Sequence, residues 1–417
     1  MTENEGRRLD WRLRWSVLVP FAAGFFLSTY FRTVNALLSP HLIADLRLTA
    51  GDLGLLTSAY FFTTALFQAP LGLLIDRYGP RRVQAALMAV AAVGVLIFAI
   101  GQERTMLMIG RAIMGIGAAG ALMTSFQAVI LWFPPRRWPF FNGCILGIGN
   151  LGSLAATFPT EIVLRFANWR DLMIGVAAIS VLVSLITLGM APKSETRSKG
   201  MTLYQQIIAM RQIYRDRMFW RLAPMYAATV GGMFAFQGLW SGPWLKDVGH
   251  LLPNEIAGDL LVVSILQIVN YLVVGSLAEA LGRRGVGLVQ IVGVGTGLYL
   301  VSQLPLLLPS GDYRWLVLFG VGLLANINVL CFPIMARRFP AALMGRANTA
   351  LNLVVFAGAF IAQYAVGAII DLFPAETPGA YPLVAYQVSF GVTILFQILS
   401  WAWYMVPVRD PRPSQSP

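Results

Sequence analysis

Charge is what this sequence has least of. Only 12% of its 417 residues are Asp, Glu, Lys or Arg, against 57% that are hydrophobic, a balance that excludes an ordinary water-soluble domain. Cysteine is nearly absent: Cys144 and Cys331 each fall inside an apolar run, so no disulfide framework and no metal-ligand spacing is present, and neither metal nor cofactor is expected. The two histidines, His41 and His250, fall at loops, where a solvated role is expected, with a proton relay at His41 the weaker alternative. No Walker A loop occurs, so ATP is not the expected energy source, and no constellation of nucleophile and base suggests an enzyme.

What the sequence does have is long apolar runs. About twelve reach the roughly 20 residues that cross about 30 Å of hydrocarbon as helix. They lie near 15–38, 53–75, 83–101, 105–132, 140–164, 170–190, 219–244, 256–279, 286–308, 313–335, 347–371 and 383–406. The first is too long for a signal peptide and lacks its small-residue cleavage site, so it reads as a permanent span. The formal charge of +12 then acquires a topological meaning. With loops assigned alternately to two faces, 23 of the 31 basic residues fall with the termini, 6 on the opposite face, and two, Arg32 and Arg111, inside spans. That asymmetry predicts two cytoplasmic termini and an even number of spans, and it removes any need for a nucleic-acid partner. Only three of the basic residues are lysine, and Ala, Leu and Gly abound, which suggests a bacterial plasma membrane.

The one long polar segment, 191–218, separates two blocks of six runs. Within it Leu203, Ile207, Met210 and Tyr214 recur at helical spacing, predicting an amphipathic helix at the interface. The expected organisation is a tail at 1–14, a six-helix bundle at 15–190, this linker, a second bundle at 219–406 and a tail at 407–417. A residue pattern recurs between the blocks. "GLLIDRYG" from Gly72 and "GSLAEALG" from Gly275 place Gly72 and Gly275, Asp76 and Glu279, and Gly79 and Gly282 at equivalent positions. "FPPRRWP" at 133–139 and "FPIMARRFP" at 332–340 echo each other more loosely. Matched halves around a central linker predict alternating access about a site at their seam.

In the first copy, Gly72 is expected to permit close helix approach and Gly79 a tight reversal. Asp76 would meet a neighbouring helix terminus or an arginine, while Arg77, Arg81 and Arg82 hold the loop on its face. Contacts of this kind, made in one conformation and broken in another, would form a latch; the basic bias alone also explains the arginines. The spacing G-x-x-x-D-R-x-G-x-R-R resembles the loop signature of the major facilitator superfamily, matched at Gly72, Asp76, Arg77, Gly79, Arg81 and Arg82. The degenerate second copy, Gly275, Glu279, Gly282 and Arg284, is similar to that superfamily too, departing at Ala280 and Gly285 where basic residues would stand. The resemblance implies an all-α membrane protein of two six-helix bundles related by a pseudo-twofold, working as a secondary transporter, a functional monomer in the lipid bilayer moving a small molecule, with protons as a candidate coupling ion.

Polar residues inside spans are expensive and so mark candidate sites. Ser28, Arg32, Asn35 and Ser39 form one stripe of span one; Thr57, Tyr60, Thr64 and Gln68 one of span two; Asn150, Ser153, Thr157 and Glu161 one of span five. Three stripes in one half predict a wet cavity. Two arginines against the single well-embedded acid, Glu161, leave a positive charge that an anionic substrate would satisfy. Arg32 is the first choice for a carboxylate clamp, with Asn35 beside it. Glu161 is expected to pair with Arg111 or to carry a proton. Arg111 opens "RAIMGIG", which resembles the R-x-x-x-G-x-G pattern of proton-coupled members, making it a coupling candidate as well as a binding one. The opposing reading makes Arg111–Glu161 architectural and lets Arg32 snorkel to the surface. The second half offers amides and aromatics: Gln237 and Trp240 in span seven, Gln267 and Tyr271 in span eight, Asn326 and Asn328 in span ten, Asn352 and Gln363 in span eleven. Trp244 reads as an interfacial belt residue.

The favoured substrate is therefore a small carboxylate-bearing organic anion or zwitterion. An exporter of drugs or lipophilic metabolites is the rival, weakened because span five, "NGCILGIGNLGSLAATFP", lacks the Gly-Pro step common in such members. A non-transporting receptor or scaffold ranks last, the tails being short.

Overall fold

The computed structural model describes residues 11–134, 137–193, 211–308, 313–336, 338–339, 341–375 and 380–407. Among them every regular element is helical, and each of the twelve expected spans has a helical counterpart. Span one is Trp11–Thr33 continued by Asn35–Leu46 across a 48° bend. Spans four and five are also broken, into Arg104–Ala118 with Ala121–Trp132, and Trp138–Ala155 with Phe158–Leu164. Span six is Trp169–Met190, eight Pro253–Arg283, eleven Ala341–Ile370 and twelve Leu383–Met405. Nine of the described helices are long and apolar enough to cross a membrane, ten counting the bent pair. Span seven, with Arg221, Pro224 and Tyr226 in it, is less apolar.

Spans two and three follow each other with no intervening loop in Ala50–Ile100, the helix breaking at Gly79. Its 51 residues would reach about 76 Å if straight, far more than one bilayer needs. The run turns back at Gly79, whose φ of 77° and ψ of 158° lie in a region open essentially to glycine alone. Contacts with span four prove the reversal: Tyr60 lies against Gly115 and Ala91 against Gly117, so residues thirty apart in sequence share one level. The matching reversal after span eight falls at Gly285, φ 84°, not at Gly282. The second loop therefore places its left-handed residue three positions later than Gly282, where the first copy has Arg82, and this accounts for the departure at Gly285 but not for that at Ala280.

Packing within the halves joins spans two and three to four and six, one to five, and seven to eleven. Across the halves, spans two and eleven run together, as do five and eight. Large apolar side chains such as Leu66, Leu272 and Phe396 are 64–70% exposed on the outer surface, a coverage that only a lipid environment makes favourable. Both ends of the described chain share one face, called here the basic face. The amphipathic segment expected from Leu203, Ile207 and Met210 lies outside the described residues, as does part of the 133–139 echo.

Two expectations for the loop motif change. Gly72, Gly275 and Gly282 have no atom within 4 Å of where a Cβ would sit, so none is a point of close approach here. Instead the motif works through charge. Arg81 donates to the Leu188 carbonyl at the end of span six, one of the carbonyls a helix C-terminus leaves unpaired. Asp76 lies within electrostatic range of Arg346, on span eleven of the other half. Arg77 lies over the Tyr78 ring, Glu279 pairs with Arg283 at 2.9 Å, and Arg82 and Arg284 are exposed.

Candidate functional site

A cavity of about 150 Å³ opens at the seam of the two halves. From the first half it is lined by Ser28, Arg32, Tyr60, Thr64, Gln68 and Asn150, from the second by Tyr271, Asn326 and Asn352. Aromatic rings complete it: Phe25, Phe126, Tyr226, Phe234, Phe332 and Phe356. The three polar stripes thus meet, but only along their basic-face halves. Of the remaining members, Asn35 donates to Thr57 at 2.9 Å and Ser153 meets Thr33 at 3.0 Å, while Ser39 and Thr157 donate to nearby backbone carbonyls and Glu161 pairs with Arg165. Beside them Tyr30 bonds Thr160 at 3.0 Å. The stripes therefore serve twice, lining the cavity at one end and sealing spans one, two and five together at the other.

Among the described residues that line the cavity, Arg32 is the one with a formal charge. Its guanidinium carbon lies 4.2 Å from the centre of the Phe234 ring, on span seven, and Tyr60 and Tyr271 lie within electrostatic range. Phe234 belongs to a cluster with Phe61 and Phe356, ring centres 6.1–6.4 Å apart, drawn from spans seven, two and eleven. A cation stacked on a ring gains about 0.5–2 kcal/mol, but its fork of donors stays free for a ligand. Tyr271 donates to Asn326 at 3.0 Å, which fixes the polar wall facing it.

Several expected site residues lie elsewhere, because in hydrocarbon a polar group can be satisfied by a partner as well as by a cavity. Arg111 is buried behind span one and only partly satisfied there: it donates to the Phe31 carbonyl at 2.8 Å and stacks 4.8 Å from the centre of Phe98, while its Nε and Nη2 have no hydrogen-bond partner among the described residues. Its expected partner Glu161 pairs instead with Arg165, one turn along the same helix, at 2.9 Å. Gln237 and Gln267 exchange two hydrogen bonds of 3.0 Å and tie span seven to span eight. Asn328 accepts from Thr296 at 3.0 Å and donates to Thr229 at 3.2 Å, so it is spent on packing; its neighbour Asn326 faces the cavity. Asn35 is spent likewise on Thr57. Trp240 donates to the Gln363 carbonyl at 3.2 Å and packs where Gly54 meets Gly367. Trp244 is buried beside Phe236 and is no belt residue. Of the nine expected binding residues, Arg32, Tyr271 and Asn352 line the cavity.

Sequence reading missed the seal on the face opposite the termini. Span two opens with Thr49 as its N-cap, and the free donors there point at a carboxylate from the other half. Asp371, at the end of span eleven, accepts from Thr49 Oγ1 at 2.7 Å, from the Gly51 amide at 2.8 Å and from Tyr381 at 3.0 Å. Tyr381 in turn accepts from the Ala50 amide at 2.9 Å. Asp247 accepts from Tyr386 at 2.6 Å and from the Tyr381 amide at 3.2 Å, joining spans seven and twelve to the same cluster. Behind it the backbones nearly touch: a Cβ at Gly242 of span seven would lie 2.2 Å from the Ala36 carbonyl of span one. The cavity is closed on this face and lined toward the other.

Long apolar helices around a cavity of mixed aromatic and polar lining at the seam of two halves, shut at one face, have the architecture of a membrane carrier. The family model described as Major Facilitator Superfamily matches residues 21–363, and the chain belongs to that superfamily. Solved structures of similar fold include a bacterial homologue of the human lysosomal transporter Spinster, inward-facing and occupied (TM-score 0.72, 18% identity, covering 94% of this chain and 96% of that one). A D-xylose–proton symporter is similar as well (TM-score 0.72, 15% identity, 94% and 98% covered). Among curated relatives, a probable sulfoacetate transporter of Cupriavidus necator is 25% identical over 41% of this chain and 40% of its own length. A nitrate/nitrite transporter of Picosynechococcus is 36% identical over 28% of this chain and 22% of its own. The matched stretch thus spans less than half the length of either relative.

Proposed function

We propose that this transporter moves a small organic anion by alternating access, with Arg32 as the anion clamp. The carrying observation is electrostatic: among the described residues lining the cavity, Arg32 is charged and no acid accompanies it. An ammonium group would find no counter-charge there, so a plain anion fits better than a zwitterion. Sulfoacetate and nitrate, named for the two relatives above, are anions too. The bundles would span 15–190 and 219–406, joined by 191–218, with a monomer as the working unit. The basic face is taken as cytoplasmic from the positive-inside asymmetry. The outer face would then be the one sealed by the Asp371 cluster, with Asp76 and Arg346 as the candidate latch on the other side. Protons remain a candidate coupling ion, carried outside the cavity lining.

The exporter reading draws on the aromatic walls and on relatives such as the thioclapurine efflux transporter of Claviceps purpurea, 27% identical over 41% of this chain and 31% of its own. Thermal unfolding of the purified protein against carboxylates, sulfonates, amino acids, sugars and lipophilic cations separates the two. A ligand at about 100 times its dissociation constant adds about 2.7 kcal/mol to the folded state. Stabilisation by anions that Arg32→Gln abolishes supports the clamp; stabilisation by lipophilic cations alone overturns it.

A further inference from the structure

We infer that this carrier is an exchanger: the cavity changes sides readily only while an anion neutralises Arg32, so entry of one anion depends on departure of another. The inference rests on the anion reading above and extends it to the transport cycle.

The argument begins with where Arg32 sits. Its side chain stacks on Phe234, a residue of the opposite half, and its backbone carbonyl lies 2.9 Å from where a Cβ on Gly238 of span seven would sit. Arg32 is thus at the surface along which the halves must move. Between the inward-facing and outward-facing states both faces are shut, and the guanidinium then has neither bulk water nor a distant exit. An unpaired charge in such a place is costly, and a charge paired with a hydrogen-bonded counter-ion far less so.

An internal counter-ion would remove the dependence on substrate. Among the described residues, three acids near the spans are committed to arginines of their own. Glu161 pairs with Arg165 at 2.9 Å, Asp259 with Arg314 at 3.2 Å and Asp216 with Arg338 at 3.1 Å. Tyr60 and Tyr271 offer neutral hydroxyls, and Phe234 offers only its quadrupole. No carboxylate is among the described residues that line the cavity, so none there can swing onto Arg32 when the anion leaves. The bound anion is therefore the group that closes the electrostatic circuit. A site holding one monoanion carries no net charge, so one-for-one exchange of monoanions moves none across the membrane; an empty site would carry one positive charge.

The test uses the full-length protein in liposomes with methanesulfonate, propanesulfonate and benzenesulfonate, which stay ionised at any working pH and so report on the anion without a proton. Binding is read first by thermal unfolding. If none of the three stabilises the protein, the anion reading falls and exchange falls with it. With a sulfonate that binds, labelled probe is supplied outside vesicles that are either preloaded with the unlabelled compound or empty. Uptake at least tenfold faster into preloaded vesicles, unchanged by an imposed potassium-diffusion potential, is the expected result. Equal rates would overturn exchange while leaving the anion site standing. Phe234→Glu supplies the missing counter-ion beside Arg32. In that variant, provided it elutes as a folded species, the preloaded-to-empty ratio should fall below about threefold, and a ratio kept at the wild-type value would show that Arg32 does not set the dependence.

Discussion

Removing the charge from Asp371 should open the face opposite the termini. In Asp371→Asn the carboxylate that now accepts from Thr49, Gly51 and Tyr381 is replaced by an amide with one acceptor oxygen. Hydrogen bonds to a charged acceptor contribute about 1.5–3 kcal/mol each when well shielded, and a carboxylate at a helix N-terminus about 0.3–1 kcal/mol at an exposed site. Asp371 is exposed and the amide keeps part of the bonding, so the net loss is about 1–2 kcal/mol, roughly a 5- to 30-fold shift of the closed–open equilibrium. Thr49→Ala, which removes one donor of three, should shift it less. Spin labels on Glu103→Cys and Leu252→Cys, exposed near the outer ends of the two halves, report the separation by pulsed electron resonance after Cys144 and Cys331 are replaced. A longer-distance population growing from wild type through Thr49→Ala to Asp371→Asn is expected. Identical distance distributions in all three would refute the idea that this cluster holds the face shut.

Arg32→Gln should abolish anion-dependent stabilisation while the protein still elutes as a folded species; normal anion binding in that variant sinks the clamp. A charge exchange, Arg111→Glu with Glu161→Arg, should show no rescue: the two sites share no contact, so their coupling in a double-mutant cycle should stay within about 0.5 kcal/mol of zero. Gly79→Ala forces a side chain into a conformation costing about 1–3 kcal/mol, lowering the unfolding midpoint, whereas Gly72→Ala, with open space around it, should leave it unchanged. Two groups on the far face give the pH dependence. Burial pushes the Asp247 carboxyl upward, against the Tyr386 and Tyr381 hydrogen bonds that pull it down. The closed state then holds that proton more tightly than the open one, so acidification through the raised value should favour closure. Tyr381, pushed up to about 12, mainly by burial, stays neutral in the closed state, so its contribution should hold to about pH 10 and fade as pH rises toward 12. The same label pair measured across pH checks both signs.

The sequence by itself determined the helical runs and the reversal at Gly79, because apolar length and glycine's access to positive φ are local properties. It also singled out Arg32, since an arginine in a span with no acid on its own helix needs an explanation wherever it lies. It did not separate Arg32 from Asn35, three residues along the same stripe, of which one faces the cavity and the other Thr57. Nor did it separate Asn326 from Asn328, or show that Gln237 and Gln267 answer each other. In hydrocarbon a polar side chain must find either a cavity or a partner, and helical periodicity fixes the face it occupies without saying what that face meets. The choice belongs to helix packing, which brings Thr49 to Asp371 across 322 residues and leaves Arg32 as the charge in the cavity lining.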